Sequence, residues 1–170
     1  TGGRGARALA AGCVVPRGWG GRAFGGWGAW GPGRVVLGAG TGESWTEVPS
    51  SGIAWPGAKE RRDRLRESIR LINQLWTEDR VSFEGQFYRT ENGTINDKPD
   101  KPVPIDVAAA GPQVAKYAGR SAQGFICTSG KAWKLYTETL LPNVEEGLKL
   151  AANPPAEYDR MIEMKVSFDT

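Results

Sequence analysis

Residues 104–131 read PIDVAAAGPQVAKYAGRSAQGFICTSGK, and the fold class turns on them. Ile105 to Ala110 is apolar apart from Asp106, bounded by Pro104 on one side and Gly111-Pro112 on the other. A run that short, without alternation, fits a strand covered on both faces. Proline suits a first helical position, so Pro112 opens a helix across residues 113–118. Gly124-Phe-Ile-Cys-Thr128 is then a further buried strand, and Ser129-Gly130 makes its turn. Strand, helix, strand is the pattern of parallel pairing through a crossover helix.

The same alternation extends in both directions. Upstream, RVVLGAGTGE at residues 34–43 is a short apolar strand that runs into a glycine-rich turn. Residues 59–76 read as a helix, with Leu65, Ile69, Ile72 and Trp76 on one face and charges crowding the other, solvated face. Residues 81–88 alternate as a short strand around Gly85, and residues 91–101 read as a polar loop. Downstream, residues 133–150 form a second long helix with Leu140, Val144 and Leu148 inward, and residues 163–168 a last strand. This is an α/β chain with a parallel sheet, and four such units make half of a (β/α)8 barrel. The 170 residues are ample for a core but short of the roughly 250 of a complete barrel.

Composition divides the chain near Gly33. Residues 1–33 carry 12 of the 24 glycines, Trp19, Trp27 and Trp30, four arginines and no acid. The remaining 137 residues hold 18 basic and 19 acidic side chains, so the overall charge of +3 comes from the first segment. That segment reads as low-complexity, disordered or translated out of frame, and residues 34–170 as the partial barrel domain. Four scattered arginines with interleaved tryptophans are a thin footprint for single-stranded nucleic acid. With no histidine, a Ser-His-Asp triad and any His-containing zinc site are excluded within these residues. Cys13 and Cys127 make neither a zinc site nor a disulfide framework, which suggests a reducing, cytoplasmic setting. No stretch reads as a membrane span or a signal peptide, and the first residue is Thr1, as expected of a fragment or a processed product.

In parallel α/β folds the chemistry gathers where strands end. Gly38-Ala-Gly-Thr-Gly42-Glu43 fails as a dinucleotide fingerprint because Glu43 occupies the third glycine position. It still gives a bare loop open to a flat cofactor, followed by a carboxylate that can act as acid or base. An N-terminal helix carboxylate stabilised by the dipole is the plainer alternative for Glu43. Residues 110–114 expose backbone at a helix start, a ledge for an anion or simply a β-to-α turn. Thr128-Ser-Gly-Lys131 places two hydroxyls and an ammonium in a glycine turn, which suits a phosphate monoester, although an ordinary surface turn looks the same. It lacks the upstream glycine of a P-loop. Cys127 reads as a buried strand residue with no base to activate it.

RVVLGAGTGE, RLRESIRLINQLW, VSFEGQFYR, AAGPQVAKYAGR, GFICTSGK and LYTETLLPNVEEGLK together resemble the luciferase-like oxidoreductases. Within that family they most resemble the glucose-6-phosphate dehydrogenases that use the deazaflavin coenzyme F420. The resemblance implies a partial TIM barrel, about strands four to seven, and hydride transfer from C1 of glucose 6-phosphate to coenzyme F420, giving 6-phosphogluconolactone. It implies that Thr41, Gly42 and Thr46 touch the cofactor, that Glu43 is the catalytic carboxylate, and that Ala110, Gly111, Gln113 and Val114 line the cofactor's tail and phosphate. Thr128 and Lys131 would hold the substrate phosphate, with no metal involved.

Two positions depart from the family pattern: Thr46 stands where a cofactor-binding Asn is usual, and Ala110 where Gly is common. The family's His base belongs to early strands that nothing in residues 1–33 resembles, and two more phosphate-binding cations belong beyond Thr170, so the isolated chain is expected to have little activity. The resemblance also implies a cytoplasmic homodimer for the full-length parent, with a sugar phosphate as its small-molecule partner. The rival readings are another luciferase-like enzyme using F420 or FMN, such as a monooxygenase, and a Gly/Arg-rich nucleic-acid-binding segment on a degenerate barrel.

Overall fold

In the computed structural model the described residues are 8–13, 35–42, 55–164 and 166–167. The chain divides into two compact units, residues 1–103 and 104–170.

The first unit opens with two parallel strands, β1 (Ala8–Cys13) and β2 (Val35–Gly40), paired residue for residue from Ala8 with Val35 to Cys13 with Gly40. The sequence reading expects no element in residues 1–33. A run of small residues has too little hydrophobicity to announce a strand, yet its backbone can still complete a ladder. Val36, Leu37 and Ala39 of β2 are buried, as its apolar text requires.

Helix α1 (Ala58–Thr77) follows, within a residue of the expected span. Leu65, Ile69 and Trp76 are buried along one face, and Ile72 is half-buried. The outer face carries i,i+4 ion pairs from Lys59 to Asp63 and from Arg64 to Glu60, each at 2.7 Å. One charge on this helix departs from the expected solvated face: Glu67 is only 9% exposed. The expected single strand at residues 81–88 is instead the first arm of a hairpin. Strand β3 (Val81–Glu84) turns at residues 85–88 and pairs antiparallel with β4 (Arg89–Gly93), which takes the first residues of the expected polar loop. Alternation alone does not reveal the turn, because Gly85 is compatible with either reading.

The second unit is built on three parallel strands, β5 (Ile105–Ala108), β6 (Gly124–Thr128) and β7 (Asp159–Glu163), with β6 between the other two. Helix α2 (Pro112–Ser121) starts at Pro112 as expected and joins β5 to β6. The expected second long helix forms as a continuous run over residues 133–149, widened in its middle into a π-turn (Leu135–Leu140) that leads straight into helix α3 (Leu141–Lys149). Leu140 and Val144 are buried and Leu148 is half-buried. The backbones of α2 and α3 approach so closely that a Cβ on Gly119 would strike the Val144 carbonyl, and one on Gly147 the Lys116 carbonyl.

The last strand lies four residues upstream of the expected 163–168, set by its register with β6 from Gly124–Asp159 to Thr128–Glu163. Asp159, Arg160 and Glu163 disguise it, because β7 has a strand partner on one side only among the described residues. Backbone pairing rather than apolar burial defines such a strand. Ile162, Met164 and Val166 are exposed.

Among the described residues no helix is long and apolar enough to cross a membrane.

Candidate functional site

In the second unit, β5 and β6 deliver two loops in matching register. Ala108 pairs with Ile126, and the Ala109 N–H donates to the Ile126 carbonyl at 2.9 Å. Ala110 and Thr128, each two residues past that pair, therefore stand at the ends of neighbouring strands, Thr128 still paired with Glu163 of β7. Both are exposed.

The β5 loop ends at Gly111, the N-cap of α2. No side chain caps this helix, its first turn contains no acid, and Pro112 has no N–H to offer. The helix ladder starts with the Ala115 N–H donating to the Gly111 carbonyl at 3.0 Å. The amides of Gln113 and Val114 thus fall among the groups that a helix leaves without intrahelical partners. They add to the positive end of the helix dipole. A Cβ built on Gly111, whose φ of −154° any residue adopts, would meet nothing within 4 Å among the described residues. The ledge is consequently uncharged, bare and open above the helix start. Gln113 is exposed and Val114 half-buried.

The β6 loop is held more tightly. Gly130 has φ +78°, the left-handed region that glycine enters without strain. The Ser129 N–H donates to the Glu163 carbonyl at 2.8 Å, tying the turn to the end of β7. The Lys131 N–H donates to the Tyr136 hydroxyl oxygen at 3.1 Å, and that hydroxyl donates to the Thr128 carbonyl at 2.6 Å. The turn's amides at 129 and 131 are thus engaged internally. What the turn leaves outward is the Thr128 hydroxyl and the Lys131 ammonium, both on exposed residues, rather than a main-chain nest. Trp133, 76% exposed, stands beside the turn with its ring centroid 6.3 Å from that of Tyr136.

Cys127, directly before the turn, is buried and donates to the Met161 carbonyl at 3.7 Å. Burial pushes its thiol above the ordinary value, which fits the reading of an inert strand residue. No cluster of three His, Cys, Asp or Glu side chains suited to a metal occurs among the described residues.

The first unit holds Thr41 and Gly42, half-buried at the end of β2, with Gly42 at φ +80°. Glu43 and Thr46 lie outside the described residues. Tyr136 escaped the sequence reading. Its text is that of an ordinary helix, and the only available signal is that a tyrosine stands five residues after Lys131.

Parallel strands joined by crossover helices, with glycine-containing loops at their C-terminal ends, are the architecture of part of a (β/α)8 barrel. The profile of the Luciferase-like monooxygenase family matches residues 21–170, and the chain belongs to that family. It is 55% identical over 150 residues to an F420-dependent glucose-6-phosphate dehydrogenase of Intrasporangium calvum, covering 87% of this chain and 45% of that protein. A protein of the same description from Nakamurella multipartita is 58% identical over 139 residues, 82% of this chain and 41% of its own length. The chain thus spans less than half the length of these curated relatives. Among solved structures, an F420-dependent secondary alcohol dehydrogenase in complex with an F420-acetone adduct superposes with a TM-score of 0.75 at 29% identity, covering 84% of this chain and 43% of the other.

Proposed function

We propose that this chain is the central part of an F420-dependent glucose-6-phosphate dehydrogenase. The observation that carries the reading is the turn at residues 128–131, where an ammonium and a hydroxyl face outward while the neighbouring amides are engaged. It sits in register beside an uncapped helix start. Coenzyme F420, when bound, supplies a deazaflavin ring that takes up the hydride given by C1 of glucose 6-phosphate, with 6-phosphogluconolactone as product.

The chain's own groups have separable tasks. Thr128 and Lys131 grip the substrate phosphate by charge-assisted hydrogen bonds, so that the sugar is oriented by its far end. Ala110, Gly111, Gln113 and Val114 receive the anionic tail of the cofactor on the positive end of α2. Thr41, Gly42 and Thr46 border the ring, and Glu43 holds or moves a proton beside it. The space over Gly111 suits such a group, because none of the described residues fills it. The phosphate of FMN would satisfy the same ledge, so FMN is the alternative cofactor. The same reading makes the parent protein a cytoplasmic homodimer acting on a small sugar phosphate.

Calorimetric titration of the full-length parent protein with glucose 6-phosphate tests the proposal. Lys131→Ala is expected to weaken binding by ten- to a hundredfold, from about 1.5–3 kcal/mol for a hydrogen bond to a charged group. Glucose without phosphate is expected not to bind. Equal affinities for wild type and Lys131→Ala would remove Lys131 from the site. Salt-sensitive binding of single-stranded nucleic acid, lost on deleting residues 1–33, would favour the binding-segment alternative.

A further inference from the structure

We infer that Tyr136 is a positioning residue of the phosphate site, its hydroxyl fixing the geometry in which Thr128 and Lys131 meet the anion; the inference rests on the substrate reading above. The observation is a bridge. One phenol oxygen donates to the Thr128 carbonyl at 2.6 Å and accepts from the Lys131 N–H at 3.1 Å, closing the turn across its mouth. The two residues bridged are the two whose side chains are assigned to the phosphate. A link of this kind restrains both Cα positions, and with them the directions from which hydroxyl and ammonium start.

The surrounding fold supports the assignment. In an unbroken α-helix, Tyr136 would lie one turn above Leu140 and share its inward face. It lies instead in the wider π-turn (Leu135–Leu140), where it is half-buried while Leu140 and Val144 are buried. The exposed Trp133 ring stands beside Tyr136 at 6.3 Å and an interplanar angle of 57°, and the two hydrogen bonds of the Tyr136 hydroxyl hold it over the turn. The Gly130 conformation at φ +78° supplies the bend that brings Thr128 O and Lys131 N within reach of one oxygen. Because Tyr136 acts through the turn and is assigned no contact with the ligand, its effect is confined to one ligand class: the phosphate monoester should sense it, and the cofactor on the α2 ledge should not.

Tyr136→Phe keeps the ring and removes only the bridging oxygen. In the full-length parent protein it is expected to weaken glucose 6-phosphate binding about tenfold, the equivalent of two modest hydrogen bonds. Coenzyme F420 affinity should stay within twofold, and the thermal midpoint within a few degrees. Amide exchange read residue by residue should show Lys131 losing protection while Phe125 and Ile126 keep theirs. Unchanged Lys131 exchange, or unchanged sugar-phosphate affinity in Tyr136→Phe alongside loss in Lys131→Ala, would overturn the role of Tyr136 and leave the substrate reading standing. Retained affinity in Lys131→Ala, or no binding by the wild-type full-length parent, would overturn the substrate reading and this inference together. An equal loss of F420 and sugar-phosphate affinity would reduce Tyr136 to a general structural part.

Discussion

Glu67 Oε1 accepts the backbone N–H of Tyr88 at 2.7 Å, across 21 residues of sequence. The same carboxylate takes the amides of Phe87 at 2.8 Å and Gln86 at 3.0 Å, so one side chain of α1 organises the whole β3–β4 turn. A Cβ on Gly85 would collide with this carboxylate, which explains the glycine there. Glu67→Ala strips three amides of their acceptor. It is expected to cost about 1–3 kcal/mol, with Glu67→Gln losing less because one oxygen remains. Urea denaturation followed by circular dichroism measures both.

Gly119 and Gly111 are both glycines of the β5–α2–β6 segment, yet they should respond oppositely to a methyl group. At Gly119 the added Cβ meets the Val144 carbonyl, and α2 and α3 must separate. Gly119→Ala is therefore expected to destabilise by about 1–3 kcal/mol, and Gly147→Ala similarly. At Gly111 the Cβ meets nothing among the described residues, so Gly111→Ala should leave the denaturation midpoint unchanged. It should instead weaken whatever anion settles on the ledge. A destabilised Gly111→Ala would mean that the space above it is not open.

The contrast explains which features the sequence made legible. Strands β5 and β6 and helix α2 were plain because burial on both faces and Pro112 at a helix start leave few alternatives. Strand β7 was misplaced because an edge strand needs hydrogen bonds rather than apolar side chains, and Arg160 and Glu163 supply no hydrophobic signal. Glu67 and Tyr136 were invisible for a shared reason. Each is defined by the backbone groups it bonds rather than by its own pattern, and a helical spacing of four cannot distinguish a π-turn from an α-turn. At the site, the Thr128–Lys131 turn was readable as chemistry, whereas its internal bracing was not.

Alkaline pH should weaken the fold. Burial raises the Cys127 thiol from its ordinary 9.0 and, against the opposing pull of Arg64, the Tyr88 phenol from its ordinary 10.0. Tyr158 is raised further, chiefly by burial and then by the charge of Asp106. In each case the unfolded chain gives up its proton first, so it binds fewer protons than the native state. The stabilisation is complete below about pH 9 and is lost as pH climbs through the folded values. Denaturation midpoints should hold level from pH 7 to 8.5 and fall above that. Iodoacetamide at pH 8, mapped by peptide mass spectrometry, should modify Cys127 far more slowly in native than in urea-unfolded chain. Equal rates would contradict its burial.

Gln113 offers a change whose effects on stability and on binding should have opposite signs. The first turn of α2 has no acid and no side-chain cap, so its dipole is uncompensated. Gln113→Glu places a carboxylate at the positive end and should stabilise the helix by about 0.3–1 kcal/mol at low salt. The same charge stands where the anionic tail of the cofactor is proposed to lie, and should lower coenzyme F420 affinity about tenfold. Both effects should shrink as salt is raised, since the residue is exposed and its field is screened. Thermal melts paired with fluorescence titration of the coenzyme read the two quantities on one sample. A stabler variant with unaltered coenzyme affinity would move the cofactor off this ledge, while leaving the sugar-phosphate turn at residues 128–131 untouched.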